Sequence, residues 1–405
     1  MGDPYTGRPR DIHVTYSKHR CEQDNIYFNS DMSDIAPPGL RYTHRVISMA
    51  LRLVIEDGLP YRSASWHLWR DHKVFVPFAT VQNWVEDAGK KSGRQISGEY
   101  LDWALEHFSG YLAADEIYDG PFCVLFIVDS IRRRRIAYEV LDRAPEKEDV
   151  LAFFRKVDMI LSSRGLKVSG ITTDGSPLYP EPIATVWPMA THQVCEFHIL
   201  KEITLSVLRS VAKVRKGFLN QIPKINRGRP STAAQKRKAR RGKFLRDKLT
   251  DLFDNRHLFV RHHLTVSERK ILKRLSHGRS QIKALRQLMD DVYALFDRRC
   301  RTDTAPAKLG NLRSKLKRFK DLNKILQKIN SHNIEKALMF LDDSLLEATS
   351  NSVEATNRRH RKMQKTIYRV RTEESITNRI GLDMLRDQEC MVRQDVLAVL
   401  HYMRN

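Results

Sequence analysis

Three strand-like runs, Gly110 to Tyr118, Phe122 to Asp129 and Arg135 to Leu141, follow one another in a chain that otherwise shows mainly helical periods. The first two are joined by Asp119-Gly120, a hairpin signal, so they are expected to pair as an antiparallel meander. Next comes an amphipathic helix, about Glu146 to Ser163, with Val150, Phe153, Phe154, Val157, Ile160 and Leu161 on its buried face. A strand at Leu166 to Thr173, a turn at Asp174 to Pro177, a short helical piece, a strand at Met189 to Val194 and a long helix from Glu196 complete the order β-β-β-α-β-α-β-α. A meander continued by crossover-connected strands implies an α/β fold, a mixed sheet with helices on its faces.

Upstream, residues 1 to 41 are mixed in charge and close on Pro37-Pro38-Gly39, the texture of a flexible arm with no fold of its own. From Thr43 the apolar positions Val46, Ala50, Leu53 and Val54 recur at helical spacing until Gly58 and Pro60 stop the helix. A second short helix spans about Arg62 to Asp71, and a third, capped by Thr80, sets Val81, Trp84, Val85 and Ala88 on one face. Three helices with a tight second turn read as a helix-turn-helix, whose third helix enters the major groove with its first polar side chains on base edges. Thr80, Gln82 and Asn83 are the candidates for that contact, with Lys90 and Lys91 toward phosphates. A plain three-helix bundle shares the pattern; the basic context decides for DNA. A linking helix, about Gly98 to Phe108, leads into the first strand.

That context is a formal charge of +23, from 71 Lys and Arg against 48 Asp and Glu in 405 residues. An excess of this size attracts polyanions, of which nucleic acid is the commonest in a cell. The length predicts two to four domains, each able to bury its own core. The longest apolar run, Phe122 to Val128, is far short of the ~20 residues of a spanning helix. The first dozen residues, with Asp3, Arg8, Arg10 and Asp11, lack the apolar stretch of a secretory signal, so the chain is expected inside the cell. Cys21, Cys123, Cys195, Cys300 and Cys390 are scattered and form no C-x-x-C pair, which indicates small buried hydrophobes rather than disulfides or a zinc ribbon.

The charge is segregated. Strand patterns vanish from about Gly217 to Leu346, and Lys224 to Lys248 holds 11 Lys or Arg against Asp247, a basic arm expected to be disordered or loosely helical. Helices are expected at about Phe244 to Val260, Ser267 to Arg299 with a break near Gly278, Lys308 to Ile329 and Ile334 to Leu346. Another follows the cap-like Thr349-Ser350-Asn351 to about Lys365, and a last pair covers about Glu373 to Gln388 and Arg393 to Tyr402. Asn357 to Arg371 carries Arg358, Arg359, Arg361, Lys362, Lys365, Arg369 and Arg371 and no acid. Together with the Arg132 to Arg135 run this is a candidate phosphate surface, the plain alternative being a solvated face.

Asp115 lies near the end of the first strand and Asp174 directly after the fourth. In a sheet where those strands are neighbours, two carboxylates meet at one edge, a donor set suited to Mg²⁺ or Mn²⁺; a third allows two ions. Each position has a plainer reading. Asp174-Gly175 forms a turn, Glu354 closes a capping box on Asn351, Asp115 beside Glu116 ends a solvated strand, and Cys195 and His198 pack. His192 extends the last two to H-x-x-C-x-x-H, but without a fourth ligand nearby zinc is not indicated. Those plain readings must hold independently, whereas one fold explains all the positions. Glu116 is the nearest rival of Asp115, since strand neighbours point to opposite faces, and Asp129 is a supporting carboxylate only.

The segments Ala114-Asp115-Glu116-Ile117-Tyr118, Thr172-Thr173-Asp174-Gly175-Ser176 and Thr349-Ser350-Asn351-Ser352-Val353-Glu354-Ala355-Thr356-Asn357-Arg358-Arg359 resemble the DDE transposases of insertion sequences. The last looks like the family's helix-borne Glu, followed by Asn and a basic run, and the resemblance covers most of residues 42 to 390. From position 115 to 174 is 59 residues, and from 174 to 354 is 180, room for a helical block like the insertion of Mutator-like and related transposases. Those relatives carry a Cys-x-x-His after the second Asp, and Cys195-Glu196-Phe197-His198 matches it, a structural motif of the family.

The residues themselves suggest a flexible arm at 1–41 and a helix-turn-helix domain at 42–96, and the resemblance implies a ribonuclease H-like core whose first part is 97–216. A basic helical insertion at 217–346 and C-terminal helices at 347–405 that complete the core follow. It implies that Asp115, Asp174 and Glu354 are catalytic and hold two Mg²⁺ or Mn²⁺ ions. One ion activates a water or a DNA 3′-hydroxyl for in-line attack and the other stabilises the leaving oxygen, with no covalent enzyme intermediate. Transposon ends and target DNA are the implied partners, with a homo-oligomer on DNA, no membrane, and a place in a prokaryotic cytoplasm with the nucleoid. A non-catalytic DNA-binding descendant and a ribonuclease H-like nuclease are the alternatives.

Overall fold

The computed structural model describes residues 15, 17–224, 228, 230–277, 279–297, 299, 304–317, 332–364 and 372–389. Its fold is mixed α/β, a five-strand mixed sheet with many helices, consistent with a ribonuclease H-like core. The chain divides into two compact units, one of Met1–Val168, Glu181–Pro188 and Asn351–Asn405, the other of Ser169–Pro180 and Met189–Ser350.

The first unit opens with a short antiparallel pair, β1 (Lys18–Arg20) and β2 (Tyr27–Asn29), where no fold was expected. Local contacts make it: Cys21 N donates to the Ile26 carbonyl, Arg20 bonds Asn25, and Lys18 stands 4.7 Å from the Tyr27 ring. Then come α1 (His44–Ile55), α2 (Tyr61–His72) and α3 (Phe78–Gln95). The last starts earlier than expected, because Pro77, with φ preset at −55°, stands at its N-cap; Thr80 lies inside the first turn and caps nothing. The expected linking helix is continuous with it, through a π-turn at Ile96–Tyr100 kinked at Gly98 and on into α4 (Leu101–Leu105).

The meander is as read. β3 (Tyr111–Asp119) pairs antiparallel with β4 (Phe122–Asp129), Asp119 opposite Phe122 across a two-residue turn, and β4 pairs antiparallel with β5 (Arg135–Leu141). Behind it α5 (Lys147–Ser162) begins at a Glu146/Asp149 capping box and buries Val150, Phe153, Phe154, Val157 and Leu161, while Ile160 stays half-buried.

In the second unit β6 (Gly170–Thr173) runs parallel to β7 (Thr191–Val194); α6 (Pro180–Val186), between them in sequence, belongs from Glu181 onward to the first unit. Both strands are shorter than the sequence pattern predicts. α7 (Glu196–Asn220) follows, then α8 (Ala233–Asp254), an ordered helix where a loose basic arm was expected. Two features order it: a Thr232/Gln235 capping box, and Leu245 and Leu252, which are buried where α8 packs on α7. Next are α9 (Val266–Ser276), α10 (Ser280–Leu295) and α11 (Ala305–Lys317). The expected helix at 334–346 reduces to α12 (His332–Lys336) and a single 3₁₀ turn, Met339–Leu341.

The chain returns to the first unit with α13 (Asn351–Gln364) and α14 (Glu373–Glu389). The expected helix 393–402, the far half of the one expected at 308–329, and Lys365, Arg369, Arg371, Arg227, Arg229, Gly278, Cys300 and Cys390 lie outside the described residues. So do residues 1–14 of the expected arm. Val46, Val54, Val81 and Val85 from the first three helices share one core with Val124 and Phe126 of the meander, Val353 and Met363 of α13, and Ile376, Ile380 and Met384 of α14. Each such side chain contributes about 1.5–3 kcal/mol by burial. α14 meets α3 at glycine contacts: a Cβ at Gly89 would collide with Asn378, and one at Gly381 would come within 2.6 Å of the Ser92 hydroxyl.

Candidate active site

In the first unit, Asp115 sits in the middle of β3, opposite Phe126. Its Oδ1 accepts from the Glu116 amide at 3.0 Å, and its Oδ2 accepts from Asn357 Nδ2 at 2.7 Å. Asn357 is buried on α13, which packs on β3 and β4, and Glu354 precedes it by one turn on the same face of that helix. One hydrogen bond therefore ties the strand of Asp115 to the helix of Glu354. Because α13 already includes Asn351, Glu354 is not the partner of a capping Asn351.

A buried ion network seats α13. Asp383 of α14 accepts from Arg135 of β5 at 2.8 Å and from Arg359 at 2.8 Å, Asp387 accepts from the same two arginines, and Arg386 adds a third cation to Asp383. Burial would push Asp383 up; Arg135, Arg359 and Arg386 outweigh it and hold the carboxyl below its ordinary value. Arg135 and Arg359, both candidates for phosphate contact, are thus turned to these internal acids. Arg134 lies over the Trp103 ring at 4.3 Å, and Arg132 donates to the His107 carbonyl. Arg358, Arg361 and Lys362 remain exposed. Asp129 is no support for the site: wholly buried, it accepts from Ser109, Ile131 and Arg132 and closes the turn after β4.

On α3, Thr80 is half-buried, Gln82 donates to Glu86, Asn83 is exposed, Lys90 pairs with Glu374 at 3.3 Å and Lys91 is exposed.

In the second unit, Asp174 follows β6 directly. Burial raises its pKa, opposed by the Ser176 amide at 2.8 Å and by the His198 ring. A carboxylate in that state gains from a nearby cation, so its chemistry suits a hard divalent ion. Cys195 is fully buried at the N-cap of α7; its amide donates to the Thr173 carbonyl at 2.7 Å, and its sulfur accepts from the Ser350 amide at 3.4 Å. Burial would push this thiol up, but hydrogen bonds from His198 and Ser350 outweigh it and hold the pKa below the ordinary value. His192 is no zinc ligand beside them: its Nε2 lies 2.9 Å from the Thr173 hydroxyl and its Nδ1 3.3 Å from Lys336. Burial first, then Lys336 and His332, push it down to about 3.

Sequence reasoning missed the Asn357 contact and the Asp383 and Asp387 partners, none of which has a local signal. The Asn three residues after Glu354 was visible, its role was not.

A family model for DDE transposases of the ISL3 type, described as "Transposase", matches residues 115–380. That span opens at Asp115 and contains Asp174, Cys195, His198 and Glu354. Among curated proteins, none matches the chain.

Proposed function

The chain belongs to the ISL3 family of DDE transposases, whose business is DNA transposition, and from that premise we propose that it nicks DNA at transposon ends and joins them to target DNA. Asp115, Asp174 and Glu354 are the proposed catalytic carboxylates and would hold two Mg²⁺ or Mn²⁺ ions. The observation that carries this reading is the Asn357 bond to Asp115, made from the helix of Glu354 inside the matched span. When bound, the ions would supply Lewis acidity to the attacking and leaving oxygens.

The chain's own residues do the rest. Asn357 orients the Asp115 carboxylate, and the Arg359 contact with Asp383 keeps the Glu354 helix seated. Arg358, Arg361 and Lys362 hold phosphates by sequence-independent attraction. Residues 42–96 bind the ends through Thr80, Gln82, Asn83, Lys90 and Lys91, 97–216 with 347–405 form the core, and 217–346 is its basic insertion. Cys195 and His198 pin the start of α7 rather than react. Two ends must be brought together, so the working form is a homo-oligomer on DNA, placed with the nucleoid in the cytoplasm of a prokaryote. Among the described residues no helix is long and apolar enough to cross a membrane.

Purified protein, cognate end DNA and Mg²⁺ test the proposal. Nicked and joined products are expected from the unaltered chain and none from Asp174→Ala or Glu354→Gln. Full activity in both variants would refute the triad, and end binding without any cleavage would favour a non-catalytic descendant.

A further inference from the structure

Four aromatic rings surround one concave face of the first unit. Trp66 and Trp69 of α2, Phe75 of the following turn and Phe78 at the start of α3 line a cavity of about 670 Å³ with Arg62 and Ser65. They are 68%, 47%, 63% and 43% exposed, whereas Trp84, on the inner side of α3, is 8% exposed. Rings held in water at this density on one surface mark a binding site rather than scattered exposure.

The rings stand on a pinned backbone. Lys73, at φ 55°, ends α2; the Ser65 hydroxyl donates to the Val76 carbonyl, and the Tyr42 hydroxyl donates to the Phe75 carbonyl at 3.1 Å. Val76 is fully buried between two outward-facing phenyl rings. Trp69 and Phe75 meet edge to face at 6.3 Å, and the Arg62 guanidinium lies over the Phe78 ring at 4.8 Å. The turn is thus fixed by its main chain while its side chains face out, a preformed platform.

We propose that this face is a stacking site for unpaired DNA bases. Aromatic faces and a guanidinium plane take any base by stacking, with little regard to sequence. In a duplex the base faces are covered by their neighbours, and only groove edges remain, for which a ring offers almost no hydrogen bonds. Arg62 supplies a cation to the lining, and among the described residues no carboxylate lines the cavity. A second copy would bring the same cations to the same face on a chain of formal charge +23, whereas a DNA strand brings the opposite charge. The inference rests on the transposase reading for the supply of unpaired bases, which strand cutting at DNA ends exposes.

Binding alone tests it, with the full chain and tryptophan fluorescence. A short oligothymidylate is expected to quench the emission. Trp66→Ala and Trp69→Ala should each weaken its binding about tenfold or more, while affinity for duplex of the same length changes by less than about threefold. Trp66→Phe, which keeps a ring, should retain most of the affinity, and circular dichroism confirms that each variant is folded. Unchanged oligothymidylate binding in both alanine variants overturns the proposal. So does a shift from oligomer to monomer on sizing with single-strand affinity intact, the mark of an interface between copies. Asp174→Ala is expected to quench normally, so a failure to cut DNA leaves this inference standing and counts against the catalytic reading alone.

Discussion

Asn357 holds Asp115 through a single 2.7 Å hydrogen bond, and a side chain that orients the proposed metal-binding carboxylate has a measurable signature. Asn357→Ala is expected to raise the Mg²⁺ concentration needed for half-maximal nicking about 10- to 100-fold, with a smaller change in the maximal rate at saturating Mg²⁺. A Mg²⁺ titration of the two proteins checks it. His192 makes a different prediction. Its folded pKa of about 3 lies below the ordinary 6.5, so between those values the unfolded chain binds more protons. Stability should therefore rise with pH across that window and be fully present above about 6.5. His192→Gln is expected to flatten this part of the profile, as urea denaturation at pH 5 and pH 7 would record.

Among elements, α13 and α14 depend on Asp383, whose side chain is 3% exposed and meets three arginines. Removing it leaves Arg135 buried with half of its charge partners, and Asp383→Ala is expected to destabilise the first unit by about 3–5 kcal/mol, read from chemical denaturation. The sign of its pH dependence is set by a folded pKa below the ordinary 3.8. Its contribution is present above 3.8 and is lost as pH falls through the lower folded value. α8 shows the opposite balance of forces. Its basic residues alone would not order it, but the Thr232 cap and two buried leucines do, and Thr232→Ala should cost about 1 kcal/mol.

For the whole molecule, the count of 71 Lys and Arg overstates the cations that DNA can meet, since Arg135 and Arg359 are already engaged by Asp383 and Asp387. The exposed Arg358, Arg361 and Lys362 are the cations expected to displace counterions. Replacing all three with Gln should weaken duplex binding equally for cognate and unrelated sequences. It should also flatten the plot of log affinity against log salt by about 0.9 for each phosphate no longer neutralised. A fluorescence-anisotropy salt series separates this uniform loss from a loss of end recognition.

What the sequence determined by itself was whatever has a short period or a local turn. Three successive strand-like runs and the Asp119-Gly120 turn predicted the meander, helical periods predicted α1, α5, α7 and α10, and the segments around Asp115, Asp174 and Glu354 carried the family resemblance. Only the tertiary structure decided which charges face inward. Asn357 and Asp115 lie 242 residues apart, and Arg135 and Asp383 248 apart, distances over which no periodicity carries information. Desolvation makes that choice: an arginine brought against the core by its strand must find a carboxylate there, so Arg135 is withdrawn from the proposed phosphate surface while Arg358 stays exposed. The same packing turned Val76 inward and left Phe75 and Phe78 in water, which the run Lys73 to Phe78, apolar at all but one position, does not distinguish.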